Sequence, residues 1–465
     1  MEQKRVTLII SDLHMGDRKP GDDFVYDKGQ FVKFLRNQAA TPEGTKGEIE
    51  LIINGDFLEF VQVNPQAYTL NSKEYWCSEA ESLAKLDCIV NGHKDVFDAL
   101  KKFQGDREGG NRVTLFAGNH DVDLYWDDVQ KALRKEAGNL NIELKHIWYQ
   151  RYGGRLWISH GHLFPSIDPA NGFKHWEDDA RRQPDEDRKP KRLEMCPGTL
   201  FVVKFVNLLE AEYPFADNLH PETALAGILW REDAWGLKTV AWMLTRFALR
   251  YPKEMLSSDE ASPDIGVQVR EAIFYDPKIR ETVAALYRDL LGRPDMTAER
   301  VRATLTTDDA LAEFVEQLMG SGAPWQDWVK VLNQARPGTL SVDGSSGGTL
   351  AIRRAGAIDV RKECIEQARR TWKAGAQIAV LGHTHLPQCV EAAEGRYYNP
   401  GSWTRYIEAD KVETLTLEKL RREEDYPYAL NCVRIVDTGV DALHSEFLSI
   451  DPETGATHLQ PCLQA

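Results

Sequence analysis

Short apolar runs recur along the chain, and five of them end in the same kind of residue. VTLIISDLHMGD covers 6–17, IELIINGD 49–56, RVTLFAGNHD 112–121, RLWISHGH 155–162 and QIAVLGHTH 377–385. Each begins with β-branched and aliphatic residues in the manner of a buried strand. Each then stops in Asp, Asn or His, usually beside Gly. In α/β sheets, ligand sites gather outside the carboxyl ends of the strands, so these polar ends are expected to converge. The neighbouring glycines permit sharp turns and close approach of a ligand.

Between 165 and about 349 this strand pattern gives way to helical periodicity. Leu237, Val240, Ala241, Leu244, Ala248 and Tyr251 fall at i, i+3, i+4 spacing on one face. Further helices are expected over 278–291, 298–305 and 308–319, the last started by a capping box from Thr306 to Asp309. GTLSVDGSSGGT (338–349) reads as a flexible return linker. A helix over 360–373 and a strand over 396–399 follow, with closing strands over 412–417, 429–436 and 444–450. The expected organisation is a core of 1–165 plus 350–465, interrupted by a mostly helical insert of 166–349 that acts as a lid or cap. Such an insert is too long to be a simple connection. Its apolar stretch GTLFVVKFVNLL (198–209) and Trp230, Trp235 and Trp242 suit either the insert's own core, a dimer contact, or a groove for an apolar substrate tail or membrane surface. The mixed-charge run 177–194 reads as a solvated loop, with phosphate gripping as the alternative.

Composition narrows the class. At 465 residues the chain is too long for one compact core. Fifty-seven basic against 72 acidic residues leave a net charge of −15, which argues against a nucleic-acid coat protein. No apolar run approaches the roughly 18 residues of a membrane span, and no signal-peptide pattern opens the chain. The seven cysteines are odd in number, scattered and never arranged C-x-x-C, which suits reduced thiols and a cytoplasmic address. Peripheral membrane contact and homo-oligomer formation stay open.

The strand ends supply Asp12, His14, Asp56, Asn119, His160, His383 and His385. Two carboxylates, one amide and four imidazoles form a nitrogen–oxygen set without thiolate. That set suits first-row divalent ions, with manganese first and iron, zinc, cobalt or nickel as alternatives. Seven ligands are too many for one ion but fit two ions sharing a carboxylate, for which Asp56 is best placed, at roughly 3.5–4 Å spacing. Two divalent ions against two carboxylates and a hydroxide leave a cationic cluster suited to an anionic phosphate. His162 competes with His160 for the ligand role, or lines the substrate pocket.

These blocks resemble the signature of the calcineurin-like metallophosphoesterases: D-x-H, G-D, G-N-H-[DE], a lone H, and G-H-x-H. Here they read Asp12-Leu13-His14, Gly55-Asp56, Gly118-Asn119-His120-Asp121, His160, and Gly382-His383-Thr384-His385. The resemblance covers 1 to about 165 and about 375–403. It implies a two-sheet α/β sandwich flanked by helices, one ion held by Asp12, His14, Asp56 and His385, and a second by Asp56, Asn119, His160 and His383. It makes His120 a catalytic donor to the phosphate or leaving oxygen, with Asp121 as orienting partner. A protonated imidazole can act as general acid and stabilise phosphoryl charge. The segment GDFLEF lacks the arginine of G-D-x-x-D-R-G, which argues against a phosphoprotein phosphatase. It is partly similar to the UDP-2,3-diacylglucosamine pyrophosphohydrolase branch. The expected activity is hydrolysis of a phosphodiester or pyrophosphate bond in a small organic substrate by a metal-bound hydroxide. A phosphomonoesterase, a nuclease and a catalytically silent scaffold are the alternatives.

Overall fold

A computed structural model of the protein describes residues 6–164 apart from 20–21, 27–28, 66–76, 106–109 and 145–146, and residues 360–464 apart from 406, 409–415, 422–428 and 440–441. Between 164 and 360 it describes shorter pieces, chiefly 202–210 and 292–305. In chain order the strands are β1 (Val6–Ile10), β2 (Ile49–Asn54), β3 (Arg112–Phe116), β4 (Asn141–Glu143) and β5 (Tyr149–Arg151). Next come β6 (Leu156–Ile158), β7 (Leu219–His220), β8 (Ile378–Val380), β9 (Gln388–Glu391) and β10 (Arg396–Asn399). The last are β11 (Ile407–Glu408), β12 (Asn431–Val436), β13 (His444–Ile450), β14 (Thr457–Leu459) and β15 (Leu463–Gln464).

The protein is α/β, built on two mixed sheets. The larger sheet runs β14-β13-β12-β1-β2-β3-β4 and the smaller β15-β9-β10-β8-β6-β5, while β11 and β7 form a separate pair. β1 to β4 are parallel, and β12 lies antiparallel on β1. In the smaller sheet β6, β8 and β10 are parallel.

Alternation along each strand explains why the runs look uniformly apolar. Successive side chains of a strand point to opposite faces, so a run apolar throughout needs both faces covered. Ile9 of β1, Ile52 of β2, Ile378 and Val380 of β8, Tyr398 of β10 and Val433 and Ile435 of β12 meet in one apolar cluster shared by both sheets. Their neighbours Leu8, Ile10, Leu51 and Ile53 point the other way, into a cluster with the helices Gln30–Ala40, Glu79–Gly92, Lys94–Gln104 and Asp127–Ala137. Ala379, Leu381 and Tyr397 point out of the smaller sheet onto Cys364, Ala368 and Trp372 of the helix Val360–Lys373. Each sheet therefore has the other on one face and helix on the opposite face.

The expected helix over 360–373 and the strands over 396–399 and 444–450 are present, and the closing strand expected over 429–436 occupies Asn431–Val436. The helix expected over 298–305 forms as Ala298–Thr304. Of the strand expected over 412–417, residues 412–415 lie outside the described residues, and Leu417 starts the short helix Leu417–Leu420, because Thr416 accepts a hydrogen bond from the Lys419 N–H and caps it. The expected helices at 237–251 and 308–319, the tryptophans at 230, 235 and 242 and the linker 338–349 lie outside the described residues, as does most of 177–194; of the helix expected over 278–291, residues 280–281, 283–285 and 287–288 are described and are helical.

Part of the apolar stretch 198–209 is described. Val203, Val206 and Leu209 are buried, and Val203 joins the large cluster with Phe60 and Val61. Asn207 Nδ2 donates to the Val61 carbonyl at 3.1 Å, and Gln62 Nε2 to Glu210 Oε1 at 2.8 Å. These side chains pack against the segment that follows Asp56. No helix among the described residues is long and apolar enough to cross a membrane.

One expectation is corrected. Cys389 and Cys462 are joined as a disulfide, whereas Cys77, Cys88, Cys364 and Cys432 are free thiols. The parallel pairing of β15 with β9 brings two distant cysteines side by side, which nothing in their spacing announces. Non-reducing peptide mapping should recover one cross-linked peptide containing both residues. Cys462→Ser should lower unfolding stability by about 2–4 kcal/mol, because the bond closes a long loop in the unfolded chain. Recovery of both as free thiols from protein denatured without reductant would contradict this assignment.

Candidate metal centre

The site forms where β1, β2 and β3 of one sheet and β6 and β8 of the other end together. Beyond β1 and β2 the backbone stays coupled: the Leu13 and His14 N–H groups both donate to the Asp56 carbonyl at 2.9 Å. The turns that follow hold the polar side chains in left-handed backbone. Asp12, His14, Asp56, His383 and His385 have φ of 54°, 47°, 49°, 69° and 57°. Residues with a Cβ rarely adopt this region, and such strain clusters at functional sites.

Two glycines are required by close approach. A Cβ on Gly55 would collide with the His160 imidazole, and one on Gly118 would collide with the Asp56 carboxylate. Any side chain at either position would displace a candidate ligand.

The seven candidate ligands fall into two adjoining groups. Asp12, His14 and His385 each bring a donor atom within 4.8 Å of the others. His14 Nε2 faces His385 Nε2 at 3.0 Å, and His385 Nε2 lies 3.5 Å from Asp12 Oδ1. Asp56, His160 and His383 form the second such group. His160 Nε2 is 3.0 Å from Asp56 Oδ2 and 3.2 Å from Asn119 Oδ1. Asp56 Oδ2 is also 3.6 Å from His14 Nε2, so this carboxylate stands between the two groups. His162 is buried, its ring centroid 5.2 Å from that of His160 and 6.3 Å from that of His383. It stands beside the second group without belonging to it.

The hydrogen bonding of these imidazoles suits a cation. His160 Nδ1 bonds to the Asn54 carbonyl at 2.8 Å, which requires a proton on Nδ1 and leaves the Nε2 lone pair facing two oxygens. His14 Nδ1 bonds to Glu59 Oε2 at 2.7 Å, and its Nε2 likewise faces inward. In their neutral forms these imidazoles aim acceptor nitrogens at carboxylate and amide oxygens, an arrangement that a divalent ion satisfies. Without an ion, protons take its place. Burial disfavours the charged form of His160, but Asp56 and Asp12 outweigh it and push the imidazole up to about 9. Burial likewise raises Asp56, yet His160, His120 and His14 together hold it well below the usual carboxylate range. Asp12 is raised, chiefly by burial and against the pull of His160.

His120 lies at the mouth of the site, half-buried, with its ring on Glu59: Nδ1 is 2.7 Å from both carboxylate oxygens. Burial lowers the His120 pKa, but Glu59 and Asp56 reverse this and push it up to about 10. Glu59 in turn falls to about 2: burial raises it, and His120 and His14 overcome that. The carboxylate that holds the His120 ring is therefore Glu59 and not the adjacent Asp121, which was the expected partner. Asp121 accepts instead from the N–H groups of Phe57, Leu58 and Gly118 at 3.2, 2.9 and 3.0 Å, tying the turn after β3 to the turn after β2. Asp123 anchors the same turn through the buried Lys85, 2.5 Å away, and Ser82. The one sequence signal for Glu59 is its place three residues after Asp56, which returns it to the site along a tight turn.

The sequence matches no protein-family model and no curated protein.

Metal uptake should release protons. A ligand imidazole held near 9 is charged at pH 7, so an ion must displace that proton, and affinity rises as pH rises toward 9. Manganese affinity is expected to increase about tenfold per pH unit for each proton released. Calorimetry in two buffers of different ionisation enthalpy should show that release at pH 7. Affinity independent of pH between 6.5 and 8.5 would contradict it.

Proposed function

We propose that the protein is a dinuclear metal-dependent phosphoesterase, of the calcineurin-like metallophosphoesterase kind, that cleaves a phosphodiester or pyrophosphate bond in a small organic substrate. The observation that carries this reading is the pair of donor groups sharing Asp56, with the Glu59-held His120 beside them. On this reading the two sheets form that family's sandwich, residues 1–165 and 350–465 are its core, and 166–349 are an inserted cap. Asp12, His14, Asp56 and His385 would hold one divalent ion, and Asp56, Asn119, His160 and His383 the other. Bound ions would supply positive charge for the phosphate and a water acidic enough to attack near neutral pH.

The protein's own groups account for the rest. His120 has its charged form favoured by Glu59, which is bonded to its Nδ1. It can hydrogen-bond a phosphoryl oxygen and give its proton to the departing alkoxide, which would otherwise leave as a strong base. Glu59 fixes the ring through Nδ1 and so leaves Nε2 as the atom that faces the substrate. Because Glu59 also bonds His14, one buried carboxylate positions both a candidate ligand and the candidate acid. The segment Gly55-Asp56-Phe57-Leu58-Glu59-Phe60 presents no arginine, which favours a small substrate over a phosphoprotein.

Turnover of chromogenic phosphate esters by the manganese-loaded protein tests the reading. A diester should be hydrolysed faster than the corresponding monoester. His120→Ala should keep its metal and lose about 10²–10⁴-fold in kcat on a poor leaving group, and less on a nitrophenolate, which needs no proton. Glu59→Gln should fall in the same direction with a smaller loss. Metal-loaded protein inactive on every ester, or full activity in His120→Ala on an alkyl leaving group, would overturn the assignment.

A further inference from the structure

Among the described residues the two sheets share no backbone ladder with each other, yet one candidate ion site draws Asp56 from the larger sheet and His160 from the smaller. Their separation must therefore be set by contacts that cross between sheets. Asn54, the last residue of β2 and fully buried, makes two of them. Its carbonyl accepts from His160 Nδ1 at 2.8 Å, and its side-chain Nδ2 donates to the Ser159 carbonyl at 2.9 Å. The same carbonyl accepts from Ser11 Oγ at 2.8 Å, bringing in the end of β1. On the far side, the end of β6 is held to β8 by main chain: Ser159 N–H donates to the Val380 carbonyl at 3.0 Å, and Gly382 N–H to the His160 carbonyl at 2.9 Å.

We infer that Asn54 is a positioning residue for His160: it docks the end of β6 onto β2 and fixes the imidazole tautomer whose Nε2 lone pair faces Asp56 and Asn119. This rests on the reading of the site as a metal centre and assigns a residue to it that is not a ligand.

The residue type follows from the contact. The Ser159 carbonyl needs a neutral donor on a short stem; leucine has none, and aspartate would set a carboxylate against a carbonyl oxygen. Asn54 Oδ1 is buried without a hydrogen-bond partner, a cost that an apolar side chain would avoid. Stability alone does not account for an amide here, whereas the donor on its other arm does. Orientation matters because imidazole binds a metal through one nitrogen, and the proton on the other selects which. If the end of β6 moves off Asn54, His160 Nδ1 loses its acceptor and Nε2 its direction.

The test is titration of metal-free, full-length protein with Mn²⁺, followed by calorimetry and by electron paramagnetic resonance. Wild type should bind two ions and give a spin-coupled signal. Asn54→Leu should weaken one ion by about 10–100-fold and leave the other unchanged, so that an isolated six-line manganese signal replaces the coupled one at equal loading. Asn54→Asp, nearly isosteric, should do the same and serves if the leucine variant does not fold. Ser159→Ala, which keeps the carbonyl that Asn54 holds, should bind both ions as wild type does. Equal weakening of both ions in the Asn54 variants would mark a general structural role and overturn the inference, as would wild-type affinities throughout. A wild-type protein that takes up no manganese would instead overturn the metal-centre reading, and this inference with it.

Discussion

Seven groups that can offer lone pairs are aimed at one small region between the ends of two sheets, an arrangement that a bound divalent cation could compensate. Asp12, Asp56, Asn119, His14 and His160 are all nearly or fully buried, so water cannot relieve their mutual repulsion. Burying unpaired charge is costly, and a protein that gathers such groups needs a compensating positive charge. The imidazoles of His14 and His160 are both raised against the effect of burial, by Glu59 and Asp56 at His14 and by Asp56 and Asp12 at His160, which shows how strongly the region favours positive charge.

The surrounding structure serves this convergence at a cost in local strain. Five non-glycine residues sit in left-handed backbone within two short turns and one strand end, each at a position that carries a candidate ligand. The hydrogen bonds that hold them are directed at the backbone. The N–H of His120 donates to Asp56 Oδ1 at 2.9 Å, and the N–H of His383 to both oxygens of Asp12 at 3.1 Å. Main-chain N–H groups, and for Asp12 the Ser11 hydroxyl as well, thus use part of each carboxylate's accepting capacity. Glu59 extends the same logic outward, since one carboxylate spans His14 and His120 and ties the entrance of the site to its interior.

Much of this was legible in the sequence because the relevant signals are local. An apolar run ending in Asp or His marks a strand end wherever the sheet lies, and the five ends meet as α/β geometry requires. The helix expected over 360–373 forms and packs onto the smaller sheet through Cys364, Ala368 and Trp372. What escaped depends on contacts between distant segments. Glu59 acquires its role only when the turn after β2 meets His120, and the Cys389–Cys462 pair only when β15 lies against β9. Asn54 carries no local signal, because its partners Ser159 and His160 belong to the other sheet. Asp121 misled for the same reason: adjacency to His120 suggested a side-chain partner, while its carboxylate faces three backbone N–H groups.

The claim on which the rest depends is that these side chains form a two-ion centre bridged by Asp56. Crystals of manganese-loaded protein, measured on either side of the manganese absorption edge, test it most directly. The account predicts two anomalous peaks, one among Asp12, His14 and His385 and one among Asn119, His160 and His383, with Asp56 touching both. A single peak elsewhere, or none at these strand ends in protein shown to contain manganese, would contradict it.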